Sequence, residues 1–301
     1  MTEANPVLFY FWKHSRKQQL RTKTLENLVR RADIVFQEGV TEDLELTRAI
    51  ERDLNTYIRT RKIPRQLQRA FDTEELSDNH KYLAGLMHGT GKRMKLERTI
   101  FPNFDYKTEA KGASVAFLLL DLETAHHLVE EFLEMAETYQ EKREKKVAKQ
   151  IVRIPKTTAV IFGAAHTELA KIVSRYRPVE IHYPYPGYIT SYSTIMSQAY
   201  RQTKKLDMEL FIRFNMESKA LKAIEEGYRN KLDDRQIESL ANFYASIMTQ
   251  EQIIEFRDYL LSCSSLIIGM SDCAIFESYL KRRALPTIEE AVGKLNKQKK
   301  D

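Results

Sequence analysis

The chain is expected to be an α/β protein, with a central, mainly parallel sheet, crossover helices and a large helical insertion or cap. Three observations predict this. Residues 158–162 form a β-branched and apolar run suited to a strand buried on both faces. Gly163 allows a sharp turn, Leu169, Ala170, Ile172 and Val173 recur at helical spacing, and residues 178–183 read as extended again. Strand, turn, helix, strand is a βαβ unit. The first forty residues repeat the plan, and residues 41–151 between the two copies are almost wholly helical in pattern.

In chain order, residues 7–12 are aromatic-rich and suit a strand, and Leu20, Leu25, Leu28 and Val29 mark the helix that follows. Ile34, Val35 and Phe36 read as a second buried strand, with Glu38 at its end and Gly39 opening the turn. Leu44, Leu46, Ile50, Leu54, Tyr57 and Ile58 make one face of a long helix, with Thr41 as the expected N-cap and Pro64 as the stop. Another helix starts at residues 72–75 and is interrupted at Gly89, Thr90 and Gly91. Residues 122–151 form a long charged helix, with a break expected near Tyr139, and no strand is expected in this whole block. After a Pro- and Gly-containing turn at residues 184–188, helices run to about Leu285, including residues 233–249 and 251–261. Alternation at residues 208–214 suggests a short extra strand, and residues 293–301 read as a frayed lysine-rich tail. With no repeat and no linker, residues 1–301 are expected to be a single domain, 41–151 its helical insertion or cap and 187–301 a mostly helical C-terminal part.

Composition narrows the classes. A chain of 301 residues with 43% hydrophobic content can bury a large core, which excludes a disordered tail. The net charge of +6 comes from 48 basic against 42 acidic residues, a mixed surface rather than a cationic one. Nucleic acid is therefore not expected as a partner. Cys263 and Cys273 lack the spacing of a zinc or redox pair and read as reduced thiols. No window approaches a membrane-spanning length of apolar residues, so a cytoplasmic protein without a membrane span is expected.

The candidate chemistry lies at the strand ends, where open parallel sheets hold ligands. His14, Glu38, His166 and His182 each follow a strand candidate. Imidazoles with a carboxylate are the set that binds a divalent ion such as Mn, Zn or Co and leaves positions open for water. Such an ion lowers the pKa of bound water enough for hydrolysis; without it, His and Glu serve as general base and orienting partner. His88 and Arg93, with Lys92, are placed to hold an anionic group. The run Gly89, Thr90, Gly91, Lys92 departs from a phosphate loop, since Arg93 replaces Ser or Thr and a helix precedes it. Tyr183, with Tyr185, Tyr188 and Tyr192, is placed to line a pocket.

These residues carry a resemblance. The strand with His14, the helix, the stretch from Ala32 to Gly39, the charged helix bearing Arg143, and Gly163 to His166 together resemble the TraB and Tiki group. That group belongs to a wider set that includes erythromycin esterase and haem-binding ChaN-like proteins. The resemblance covers about residues 7–40 and 139–183. It implies an α/β fold with two GxxH arrangements, and by position it matches His14 to the first histidine, Glu38 to the glutamate, Arg143 to the arginine and His166 to the second histidine. Phe11 stands where the group has the first glycine. The implied activity is a metal-assisted hydrolase of a peptide, ester or related bond. His14, Glu38 and His166 would hold the ion, and Arg143 would stabilise negative charge or anchor Glu38. The alternative is a non-catalytic regulatory protein that binds a small ligand or partner on the same fold, which the bulk of Phe11 favours. A small-molecule or peptide substrate is expected; the oligomeric state is not written in the sequence.

Overall fold

Runs of β-branched and aromatic residues with no polar interruption form strands that are buried on both faces. In the computed structural model, which describes residues 5–12, 20–39, 43–72, 78–99, 116–188, 190–266 and 271–297, this holds for β1 (Val7–Trp12) and β4 (Thr158–Gly163), every residue of which is buried. With β2 (Ile34–Gln37), β3 (Arg93–Leu96) and β5 (Val179–His182) they make a five-stranded sheet in the order β3-β2-β4-β1-β5, parallel throughout. The fold is the α/β class the sequence predicts, with a large helical part.

Alternate residues of the strands feed two cores. Leu8, Tyr10, Trp12, Val35, Met94 and Ile161 face α1 (Lys23–Arg31) and α2 (Leu44–Thr60), through Leu25, Leu28, Ile50 and Leu54. Val7, Phe9, Phe11, Ile34, Phe36, Val160 and Phe162 face the other way, towards Val147, Ala148 and Ile151 and towards Leu169 and Val173. α2 starts on Asp43, whose carboxylate accepts from the Glu45 and Leu46 amides at 2.8 and 3.1 Å; the expected cap, Thr41, lies outside the described residues. Two short helices, α3 (Arg65–Asp72) and α4 (Asp78–Leu86), lead to β3.

β3 corrects the expectation that residues 41–151 hold no strand. It has four residues, two of them charged, and its exposed-buried alternation is too short to stand out from helical patterns. It is an edge strand, and α2 closes its open side. Asn55 exchanges two 2.9 Å hydrogen bonds with the Met94 backbone, and Glu51 accepts from the Leu96 amide at 2.9 Å. Side chains there do the work of a missing neighbour strand.

By compactness the chain divides into two units: Met1–Phe104 with Thr138–Tyr188, and Asp105–Glu137 with Ile189–Asp301. At one of the crossings the boundary falls within α5 (Leu122–Val152). The expected break at Tyr139 is absent, in keeping with a helix that has neither Gly nor Pro. In the first unit α6 (Thr167–Ser174) joins β4 to β5.

The second unit is helical: α7 (Tyr192–Thr203), α8 (Met208–Tyr228), α9 (Asp234–Ile247), α10 (Gln250–Leu266), α11 (Asp272–Arg282) and α12 (Ile288–Lys297). The strand expected at residues 208–214 is the first part of α8. Asp207 caps it on the Leu210 amide at 2.9 Å, and Phe211, Ile212, Met216, Ala220, Ala223 and Ile224 are buried at helical spacing. Gly227 lets α8 approach α11, since a Cβ there would lie 2.2 Å from the Cys273 sulfur. Among the described residues, no helix is long and apolar enough to cross a membrane.

Candidate active site

The parallel arrangement puts the carboxyl ends of all five strands along one edge of the sheet. Gln37 and Leu96 are register partners, so the residues that follow them, Glu38 and Glu97, stand side by side, and the Glu97 amide donates to the Gln37 carbonyl at 2.9 Å. Gly39 fits closely beside them: a Cβ on it would lie 2.9 Å from the Glu97 carbonyl oxygen. Two adjacent carboxylates repel, and Glu97 is only 3% exposed, so burial demands a cation between them.

Arg143 supplies it. Its Nε and Nη2 donate to the two oxygens of Glu97 at 2.8 and 2.5 Å, a bidentate fork, and Nη2 also donates to Glu38 Oε1 at 2.8 Å. Burial opposes the positive charge, but the bonds and charges of Glu97 and then Glu38 outweigh it and raise the Arg143 pKa further. The Gly39 amide donates to Glu97 Oε2 at 3.2 Å.

His166 completes the cluster from β4. Gly163 ends the strand, a turn of 3-10 helix spans Ala164–His166, and His166 is the N-cap position of α6. Its Nδ1 lies 3.3 Å from Glu144 Oε1 and its Nε2 3.4 Å from Glu38 Oε1. Burial would lower its pKa, yet hydrogen bonds to Glu144 and Glu38 prevail over it and over the nearby Arg143, and raise the pKa from 6.5 to about 9. The two carboxylates favour the imidazolium form, although Nε2 also lies 3.4 Å from Arg143 Nη1. The ring packs edge-on against Phe162, with centroids 5.6 Å apart.

α5 delivers its share through one stripe. Gln140, Arg143 and Glu144 continue at spacings of three and four into Val147, Ala148 and Ile151. The stripe is apolar over the sheet and polar where it passes the strand ends. Gln140 donates to the Ala165 carbonyl at 2.6 Å and to Glu144 at 3.2 Å, fixing the turn that carries His166.

Of the expected site residues, Glu38, Arg143 and His166 come together, and His14 lies outside the described residues. His182 does not join them. It is the register partner of Tyr10, so it faces α1, and its Nε2 lies 3.3 Å from Glu180. His88 packs edge-on against Tyr57 at 4.3 Å, and its pKa is lowered by burial and then by Arg61. Arg93 lines a separate cavity beside α2. Tyr183 stacks on Tyr188 at 5.4 Å and meets Phe11 at 6.4 Å. Glu97 and Glu144 are not among the expected residues. The signal for Glu97 is that a carboxylate directly follows the short run Arg93–Leu96, as Glu38 directly follows Ile34–Gln37.

Among the described residues the arrangement does not fit a divalent ion, while His14, the remaining expected ligand, lies outside them. Arg143 stands between Glu38 and Glu97, and both nitrogens of His166 face carboxylates, with Nε2 also 3.4 Å from Arg143 Nη1, so a cation already occupies the place an ion would take. Among the described residues, no three His, Cys, Asp or Glu side chains are grouped to hold a metal. No protein-family model matches the chain, and neither a curated protein nor a solved structure is significantly similar to it.

Proposed function

We propose that the chain is a hydrolase of a peptide, ester or related bond, in keeping with its resemblance to the TraB and Tiki group, and that it works without a metal at Glu38, Arg143 and His166. One observation carries this reading. In the charged cluster the side chains of Glu38 and Arg143 are 18% and 21% exposed, while those of Glu97 and Glu144 are 2% exposed. The outer pair is available to a substrate and the inner pair orients it.

In this reading Glu38 takes a proton from an attacking water, and the carbonyl oxygen gathers negative charge against the Arg143 guanidinium. His166 gives its Nε2 proton to the leaving group as the bond breaks. Glu38, 3.4 Å from that nitrogen, then returns the proton it took. The cycle consumes one water and restores both residues. Because His166 must start protonated, the rate falls as pH rises through about 9.

The test is hydrolysis of an ester and peptide panel in chelator-treated buffer, with and without Mn, Zn or Co. The expected result is turnover without added metal and a loss of roughly 10²-fold or more in Glu38→Gln. Equal rates in wild type and Glu38→Gln would refute it. Turnover only with added metal would instead favour the ion held by His14, Glu38 and His166.

A second reading, a ligand-binding protein without turnover, draws on β1. The strand runs straight through Phe11, paired with Phe162, where the resembling group has glycine. No hydrolysis of any panel member would favour it.

A further inference from the structure

A cavity of about 640 Å³ lies beside β3 and α2, away from the carboxyl-end cluster. Its lining includes Arg52 and Arg59 from α2, Arg93 and Lys95 from β3, and Lys92 and Gly91 from the loop before β3. Arg52 and Arg59 are two helical turns apart, and Arg93 and Lys95 are two residues apart on a strand. Each pair therefore shares one face of its element. The one carboxylate in the lining, Glu51, is committed to Arg98 at 2.6 Å and to the Leu96 amide at 2.9 Å.

Arg52, Arg59, Arg93 and Lys95 are exposed, and none has an acidic partner among the described residues. Some cations elsewhere in this unit are matched, such as Arg31 with Glu180, Arg48 with Glu45, Lys145 with Glu141 and Lys171 with Glu168; what sets the cavity apart is that four unmatched ones line it together. Lys92 is held differently, donating to the Arg30 and Ala32 carbonyls at the end of α1. This anchors the loop in which Gly89 and Gly91 take φ of +69° and +70°, values that favour glycine. A Cβ on Gly91 would meet nothing within 4 Å, so the loop is open to the cavity side rather than packed.

We propose that this cavity binds the oligophosphate group of a small molecule, such as a nucleoside triphosphate. The volume falls in the range of small-molecule sites. Arg52 and Arg59 alone spread positive charge over about 10 Å of helix, the reach of a chain of phosphates rather than a single anion. Assembling unmatched cations at one place is unfavourable without a counter-charge, and arginine forks suit phosphate oxygens. The site is distinct from the carboxyl-end cluster, so it stands or falls independently of hydrolysis.

Calorimetric titration of the full chain with inorganic tripolyphosphate, with ATP and with a short single-stranded RNA tests this. The expected result is saturable binding of tripolyphosphate and ATP at one site, weakened about tenfold or more in Arg52→Glu with Arg93→Glu and in Arg59→Gln alone. Arg48→Glu, on the same helix outside the cavity, leaves it unchanged. Circular dichroism on each variant confirms that the fold persists. The proposal is overturned by absence of tripolyphosphate binding, by undiminished binding in both cavity variants, or by RNA binding that tripolyphosphate does not displace.

Discussion

Two arginines fasten the two ends of the same sheet, and they do it with different chemistry. At the amino end Arg177, 7% exposed, donates to the backbone carbonyls of Asn5, Ile151, Ile154 and Lys156. At the carboxyl end Arg143 donates to the side chains of Glu97 and Glu38. Burial lowers the Arg177 pKa, whereas the carboxylates raise that of Arg143. Carbonyls do not titrate and cannot exchange protons with a substrate, so the amino end is a fastening only. Carboxylates and an imidazolium can, and they gather where parallel sheets hold ligands.

The largest effect that would sharpen this contrast is expected from Arg143→Ala. It strands two neighbouring carboxylates and should cost roughly 3–5 kcal/mol in denaturant unfolding, together with loss of any hydrolysis. Arg177→Ala should cost somewhat less, about 2–3 kcal/mol, because the freed carbonyls are neutral and polar. A stability loss for Arg177→Ala accompanied by a changed pH profile of activity would break the contrast, since only the carboxyl end should set that profile.

A third effect concerns pH. The folded pKa of His166 is raised from 6.5 to about 9. Its contribution to stability is therefore full below about 6.5 and is lost as pH rises through about 9. Unfolding followed across that window should show the decline in wild type and a flatter curve in His166→Gln. The smallest effect is expected from His182→Ala, within ~0.5 kcal/mol, because its contact with Glu180 at 3.3 Å is partly open to solvent.

The two histidines also show what the sequence could and could not reveal. Both follow buried or half-buried runs, and at the level of residue order they look alike. His166 ends up buried because β4 is central and the turn after Gly163 aims the ring at α5. His182 sits on an edge strand, and its pairing with Tyr10 turns it to the opposite face. Register and strand order decide between them, and neither is local information. Of the four strands that were legible, β1, β2 and β4 stand out by their apolar and β-branched runs, and β5 by its place after a helix in a strand-turn-helix-strand pattern. β3 was not, because it has only four residues and two of them, Arg93 and Lys95, are charged. Missing β3 hid Glu97, and with it the reason Arg143 is held so firmly.

The most direct test is a nitrogen-15 NMR titration of the histidine side chains, with His166 assigned from His166→Gln. The account predicts that both ring nitrogens of His166 stay protonated through neutral pH and that the ring titrates near 9. Titration at or below the ordinary value of 6.5 would contradict it.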